Sequence, residues 1–153
     1  AMLSMLEYIN TCVMSNERND PAAATWVYFD EIYLLLRDQL SAQFLYTSWK
    51  RFRKYNAYAT GITQNVQDCL TNDTAYAMLA NSEFVCMLRR TKDIDSVVEL
   101  YGLSDPQKNY LKLAKPGQGI LKMGNNLIPF VNDHPTNTKI YRLLTTKPGE
   151  MEN

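Results

Sequence analysis

Residue types that would mark several common enzyme classes are scarce in this chain of 153 residues. Its single histidine, His134, lies in a turn-like sequence, which excludes a histidine-based catalytic triad and a histidine-rich metal site. Its three cysteines, Cys12, Cys69 and Cys86, are widely spaced, which argues against a disulfide framework and a zinc site. We therefore expect each cysteine to be a small buried side chain and His134 to be a loop residue.

Net charge and long apolar runs are also lacking. Sixteen Lys and Arg residues balance sixteen Asp and Glu residues, so no global field attracts nucleic acid or a membrane surface. The longest apolar runs, such as 34–36, are far shorter than the ~20 residues of a membrane-spanning helix. Because the first residues include Glu7 and lack a basic start, we expect no signal peptide.

A glycine-rich phosphate loop is missing as well. The pattern G-x-x-x-x-G-K-[ST] occurs nowhere in the sequence. The segment 115–119 is rich in glycine, but it leads into a predicted hairpin rather than a helix. On this ground we expect the chain alone to hydrolyse ATP negligibly.

Alternating strand and helix patterns dominate the rest of the chain. Short apolar segments at 25–29, 57–62 and 84–88 read as strands, and helical spacing of apolar residues separates them. The helical region 32–55 has a possible break near Asp38. This order predicts an α/β fold with a mainly parallel sheet flanked by helices.

The carboxy-terminal third has a different pattern. The apolar segments 119–123 and 127–131 flank Gly124-Asn125-Asn126, which predicts a β-hairpin. The segment 139–145 is predicted as a last strand.

Polar residues follow each of the three predicted parallel strands. In parallel sheets, ligands bind beyond the carboxyl ends of the strands. If the strands are neighbours, these residues line one edge. They are Asp30 and Glu31, Thr63 and Gln64, and Arg89 and Arg90.

An apolar strand that ends in Asp-Glu is the Walker B pattern of P-loop ATPases. Asp30 would hold Mg²⁺ beside the phosphates, and Glu31 would accept a proton from the attacking water or orient it. Acidic residues also follow buried strands as ordinary helix caps, so this alternative stays open.

A glutamine at the end of the next strand fits a phosphate sensor. The amide of Gln64 can donate to a γ-phosphate oxygen and accept from water, and Thr63 beside it is a candidate cofactor-binding residue. Alternatively, Thr63 or Asn65 caps the following helix and Gln64 is merely exposed.

Two pairs of basic residues are candidates for stabilising the negative charge of the transferred phosphate group. Arg53 and Lys54 close the helix before the second strand, and Arg89 and Arg90 follow the third. An arginine that reaches a neighbouring subunit's phosphate contributes ~10³–10⁵ in rate in known systems. The simpler explanation of the cluster at 50–54 is that cations favour a helix carboxyl terminus.

Aromatic residues interleave with that basic cluster. Trp49, Phe52 and Tyr55 would suit single-stranded nucleic acid. Their helical spacing makes core contacts the more economical interpretation.

Together these residues resemble the large ATPase of conjugative type IV secretion systems, the TraC/TraE type, within the wider FtsK/HerA group. The similarity extends from about Thr25 to Pro148. The segments that carry it are Trp26–Ile32, Lys50–Lys54, Thr60–Asn65, Tyr101–Asp105, Pro116–Leu121, Asn125–Phe130 and Tyr141–Thr146.

The resemblance implies the carboxy-terminal portion of a RecA-like motor domain over 1–153, without its Walker A portion. It implies ATP and Mg²⁺ as cofactors, a homo-hexamer, and secretion-channel components and a DNA or protein substrate as partners. It also implies a location in the cytoplasm, at the inner face of the membrane. By position it assigns Asp30 and Glu31 to Walker B, Gln64 to the sensor, and Arg53 and Lys54 to a basic pair, with Arg89 and Arg90 matching less closely.

Two alternatives remain on sequence grounds. The chain could be part of a DNA-pumping ATPase of the FtsK or coupling-protein kind, which shares the motor but acts on DNA. It could also be a non-catalytic α/β binding module in which Asp30, Glu31, Thr63 and Gln64 serve only as helix caps.

Overall fold

The strands of this chain form two sheets, a parallel pair and an antiparallel three-stranded sheet. The computed structural model describes residues 2–19, 22–64, 66–70, 72–89 and 92–145. Contacts divide the chain into two units. The first is Ala1–Ser82 with Asp95–Tyr101, and the second is Glu83–Ile94 with Gly102–Asn153.

Helices and strands alternate through the first half of the chain. In order they are α1 Met2–Asn19, β1 Thr25–Phe29, α2 Tyr33–Leu36, α3 Gln39–Phe52, a one-turn 3-10 helix Arg53–Tyr55, β2 Ala57–Gly61, α4 Val66–Leu70 and α5 Asp73–Ala80. The second half comprises β3 Phe84–Leu88, α6 Ile94–Tyr101, α7 Asp105–Leu113, β4 Gln118–Met123, β5 Asn126–Val131 and α8 Lys139–Leu144.

The parallel pair β1–β2 lies at the centre of the first unit. Its strands are in register from Thr25 opposite Ala57 to Phe29 opposite Gly61. Side chains alternate between the two faces of a strand. One face, which includes Phe29 and Ala57, belongs to the core formed with α1, α3 and α5. The other face carries exposed aromatic rings, with Trp26 stacked on its pair partner Tyr58 at 4.6 Å between centroids.

Side-chain caps define the helix boundaries that follow β1. Asp38 starts α3 by accepting hydrogen bonds from the backbone N–H and the hydroxyl of Ser41, both at 2.9 Å, and these bonds lower the pKa of Asp38. Asn72 starts α5 by accepting from Thr74 N–H at 2.8 Å, and its side-chain N–H donates to the carbonyl of Leu36 at 3.2 Å. Asn72 therefore ties the end of α2 to the start of α5.

The second unit is built on the sheet β3–β4–β5. The turn between β4 and β5 has a left-handed φ of 55° at Gly124, which glycine adopts without steric cost. A capping box at Ser104 and Gln107 starts α7. The hydroxyl of Tyr110 on α7 donates to the carbonyl of Phe130 at 3.1 Å, which holds this helix to the sheet.

The α/β class, the helix break at Asp38 and the carboxy-terminal hairpin are confirmed. The expected place of the third strand is wrong, because β3 pairs antiparallel with β4 instead of joining β1 and β2. All five residues of β3 are apolar, so both of its faces suit burial, and the hairpin offers it an apolar partner strand.

Two smaller expectations are also wrong. The segment 139–145 forms a helix rather than a strand, because Thr138 caps it by accepting from the backbone N–H of Tyr141 at 3.2 Å. The cysteines are not uniformly buried. Cys69 is buried and Cys12 half-buried, but Cys86 is exposed on the sheet.

Candidate functional site

Asp30 and Glu31 form a tight turn directly after the buried end of β1. The carboxylate of Asp30 accepts a hydrogen bond from the backbone N–H of Glu31 at 3.0 Å. Asp30 is exposed, Glu31 is half-buried, and Phe29 before them is buried in the core. A rigid strand end therefore presents two adjacent carboxylates.

The backbone pairing of β1 and β2 continues past both strand ends. The N–H of Ile62 donates to the carbonyl of Phe29 at 2.8 Å, and the N–H of Ile32 donates to the carbonyl of Ile62 at 2.9 Å. These two bonds span the turn at Asp30 and Glu31. They bring the backbone that leads into Thr63 and Gln64 alongside it, so the two polar pairs expected from the sequence share one edge.

A close contact between Ile32 and Gly61 fixes the spacing at this edge. A Cβ on Gly61 would lie 2.7 Å from Cδ1 of Ile32, which is closer than carbon atoms approach. The side chain of Ile32 is buried over this glycine. Neither residue was singled out from the sequence, although a glycine inside a strand pattern is a known signal of close approach.

Glu31 has two unusual features. Its φ is 48°, in the left-handed region, which costs a non-glycine residue roughly 1–2 kcal/mol. One of its carboxylate oxygens, Oε2, is buried without a hydrogen-bond partner among the described residues. Backbone strain and unsatisfied polar atoms in native proteins concentrate at functional sites, so both features mark Glu31 as a candidate.

Thr63 and Gln64 complete the edge. Thr63 is half-buried and Gln64 is exposed, just before α4. Asn65, the alternative cap of α4, lies outside the described residues.

The basic pair Arg53 and Lys54 does not lie at this edge. Arg53 and Lys54 are exposed in the 3-10 helix before β2, at the amino end of the sheet. The five residues of β2, at ~3.3 Å each, separate them from the carboxyl end. Arg89 is exposed after β3, in the second unit, and Arg90 lies outside the described residues.

The aromatic residues near the basic cluster are core contacts. Phe52 is buried, Trp49 and Tyr55 pack against the core of the first unit, and the Trp49 ring lies 6.3 Å from the Phe29 ring. This arrangement does not favour the stacking of nucleic-acid bases on these three residues.

Comparison with known proteins adds independent information. No protein-family model matches the chain, and no curated protein matches it. Among solved structures, that of VirB4 of Thermoanaerobacter pseudethanolicus matches with a TM-score of 0.70 and 28% sequence identity over 79% of this chain. The chain is similar to VirB4-type secretion ATPases. The resemblance to type IV secretion ATPases is therefore confirmed, as is the α/β fold class.

The similarity covers 34% of the VirB4 chain, so the present chain spans about a third of its length. No helix in the described ranges is long and apolar enough to cross a membrane.

Proposed function

We propose that this chain is the part of a type IV secretion ATPase motor that carries the Walker B carboxylates and the sensor glutamine. The similarity to VirB4 supports a secretion-ATPase-like chain, and the edge formed by the ends of β1 and β2 supports the assignment of residues. The activity itself belongs to a longer protein, in which this chain would be the carboxy-terminal portion of the motor domain.

The observation that carries the proposal is the buried Oε2 of Glu31, which has no hydrogen-bond partner among the described residues. Leaving a buried acceptor without a donor costs roughly 1–3 kcal/mol, and more for a charged group. A water held against this oxygen would restore the missing hydrogen bond and would be oriented by Glu31. The carboxylate could then take the proton of that water as it attacks, which is the role of a general base.

The remaining polar residues of the edge fit a bound nucleotide and its metal. Mg²⁺ is usually held by one or two carboxylates together with phosphates and waters, and Asp30 presents an exposed carboxylate here. Bound Mg²⁺ would neutralise charge on the phosphates of ATP. Gln64 would sense the terminal phosphate through its amide, and Thr63 would support binding from the same strand end.

The basic residues fit a role between subunits. Arg53 and Lys54 stand at the opposite end of the sheet from Asp30, so they are poorly located for a phosphate held by their own chain. In a hexamer they would serve the site of a neighbouring subunit as arginine-finger-type groups. Arg89 and Arg90 remain weaker candidates for the same task.

The phosphate loop would come from another part of the longer protein. Among the described residues β2 pairs only with β1, so its other edge is free to receive a strand. Parallel sheets are normally covered on both faces, yet Trp26, Tyr28 and Tyr58 are exposed here. Additional segments of a longer motor would cover these rings.

In this proposal the ATPase works in the cytoplasm at the inner face of the membrane, as a homo-hexamer with secretion-channel components, and powers conjugative transfer. A DNA-pumping motor of the FtsK or coupling-protein kind is the second candidate. A strand-end pair of carboxylates beside a glutamine is common to both kinds of motor. The non-catalytic binding module would leave the unpaired oxygen and the left-handed φ of Glu31 without a purpose.

A substitution in the longer protein tests the role of Glu31. Glu31→Gln keeps the shape of the side chain but cannot accept a proton, so ATP turnover should fall by ~10²–10⁴ while nucleotide binding persists. Asp30→Ala should in addition weaken Mg²⁺-dependent nucleotide binding. Phosphate release and binding of a fluorescent nucleotide measure the two effects separately.

The matched control is Glu99→Gln, which changes an exposed glutamate on α6 in the same way. It should leave turnover at the wild-type rate. If Glu31→Gln also turns over at that rate, Glu31 is only a turn residue and the proposed function is wrong.

A further inference from the structure

The backbone pairing between β1 and β2 contains one extra residue at the candidate edge. At the start of the pair, the N–H of Thr25 donates to the carbonyl of Asn56 at 3.1 Å. In a parallel pair such bonds recur at every second residue, so the N–H of Glu31 is expected to donate to the carbonyl of Ile62. The N–H of Ile32 makes that bond instead, at 2.9 Å. Glu31 is therefore the inserted residue of a β-bulge.

The bulge explains the unusual conformation of the turn. Glu31 has its left-handed φ of 48° because an inserted residue must bend the strand locally. Its N–H is left without a partner on β2, and the carboxylate of Asp30 accepts it at 3.0 Å. Asp30 therefore closes the bulge as well as being the candidate metal ligand.

The bulge also changes which side chains face the core. Side chains alternate along a regular strand, so without an insertion Glu31 would point to the same side as Phe29 and Ile32 to the other. With the insertion, Ile32 joins Phe29 in the core and is 4% exposed. Bulges next to active sites commonly redirect a side chain in this way. Here the redirected side chain is the proposed general base.

The side chain of Ile32 anchors the bulge on Gly61. A Cβ at position 61 would lie 2.7 Å from Cδ1 and 3.2 Å from Cγ2 of Ile32. Rotation of the end of the side chain can move Cδ1 away. Cγ2 is attached to the Cβ atom of Ile32, so it moves only with the whole side chain. Any larger residue at position 61 therefore displaces Ile32, and with it the adjoining backbone of Glu31.

We propose that Ile32 and Gly61 are positioning residues for Glu31, because their contact holds the bulge that aims its carboxylate. This inference rests on the proposed function, in which Glu31 orients and deprotonates the attacking water. Such a role is sensitive to position, since a misplacement of about 1 Å can cost ~10²-fold in rate. The strain at Glu31 and the missing side chain at Gly61 then serve one purpose.

Kinetics of Gly61→Ala in the longer protein test the positioning role. We expect kcat for ATP hydrolysis to fall by ~10–100-fold, because the carboxylate of Glu31 is displaced from the water. KM for ATP should change by less than about two-fold, because the phosphate loop that binds the nucleotide is not altered. Adding Ile32→Val, which removes Cδ1, should recover several-fold of the lost kcat.

Val13→Ala is the matched control for a general loss of stability. Val13 is a buried residue of α1 in the same core, away from the turn in sequence, and its truncation should leave kcat unchanged. The positioning role is overturned if Val13→Ala lowers kcat as much as Gly61→Ala does, or if Gly61→Ala keeps the wild-type kcat. In the latter case a Glu31→Gln variant without turnover would still support the proposed function. A fully active Glu31→Gln variant would instead refute both.

A stability measurement on the present chain tests the bulge without any activity. Glu31→Gly and Glu31→Ala both remove the carboxylate, but only glycine adopts a φ of 48° without steric cost. In urea unfolding followed by tryptophan fluorescence, Glu31→Gly should therefore unfold at a higher urea concentration than Glu31→Ala. This comparison does not require Gly61→Ala to fold. An alanine variant at least as stable as the glycine variant would show that Glu31 is not held in the left-handed bulge, and would overturn the proposal.

Discussion

Replacing Gly61 by alanine tests how the candidate edge is packed. The new Cβ would lie 2.7 Å from Cδ1 and 3.2 Å from Cγ2 of Ile32. Ile32 is only 4% exposed, so its side chain has little room to move away. Overpacking of this kind costs ~1–3 kcal/mol, and we expect Gly61→Ala to lower the free energy of unfolding by that amount.

A double substitution shows whether the clash with Ile32 is the cause. Ile32→Val removes Cδ1, the atom in closest conflict, at a cost of ~0.5–1.5 kcal/mol when made alone. In the double variant the removed atom no longer opposes the new Cβ. Its loss of stability should therefore be smaller than the sum of the two single losses by at least ~0.5 kcal/mol.

Urea unfolding followed by tryptophan fluorescence suits this measurement, because Trp26 and Trp49 both belong to the first unit. Gly102→Ala is the control. Its φ of 64° makes this substitution costly by itself, but no atom of the described residues lies within 4 Å of the added Cβ, so that cost should show no coupling to Ile32→Val. If Gly61→Ala leaves the unfolding free energy unchanged, or if its effect simply adds to that of Ile32→Val, the packing argument is refuted.

Three further expectations concern activity and helix capping. The chain of 153 residues alone should release phosphate from ATP at background rate, because it has no lysine-bearing phosphate loop, and a rate that Glu31→Gln abolishes would contradict this. In the longer protein, Arg53→Ala should lower turnover, and mixing it with Glu31→Gln subunits should restore part of the rate; no gain on mixing would rule out action between subunits. Asn72→Ala should cost ~1–3 kcal/mol in urea unfolding, because it removes both a helix cap and a bond to Leu36. Asn81→Ala, which removes one exposed bond on the same helix, should cost less, and equal losses would count against a bridging role for Asn72.

Local signals in the sequence were sufficient for several elements of the fold. The apolar strands at 25–29 and 57–62, each followed by polar residues, predicted the parallel pair and its shared edge. Asp38 predicted the break between α2 and α3 because aspartate is a strong helix cap. Gly124 and Asn125 predicted the hairpin because glycine and asparagine readily adopt the backbone conformation of a tight turn.

Other features depend on contacts that a local pattern does not encode. The residues of β3 are apolar on both faces, so their pattern indicates a strand but not which strand it pairs with. The short segment 139–145 fits a strand or a helix by its apolar content. Thr138 carried a usable helix-start signal that the strand interpretation overlooked.

The least predictable features lie at the candidate site itself. Glutamate has no preference for a left-handed φ, so the sequence did not predict the backbone conformation of Glu31. The contact between Ile32 and Gly61 arises only when the two strand ends are brought together. Arg53 and Lys54 were recognisable as a basic pair, but their separation from Asp30 follows from the direction of β2.

The most direct test of the central claim is a structure of the longer protein with Mg²⁺ and a non-hydrolysable ATP analogue. The account requires the terminal phosphate to lie at the edge formed by β1 and β2, with Asp30 bound to the metal directly or through water and Glu31 contacting the water opposite the bond to be broken. Gln64 should contact the same phosphate. A nucleotide bound away from this edge, with Asp30 and Glu31 in contact only with their own chain, would contradict the account.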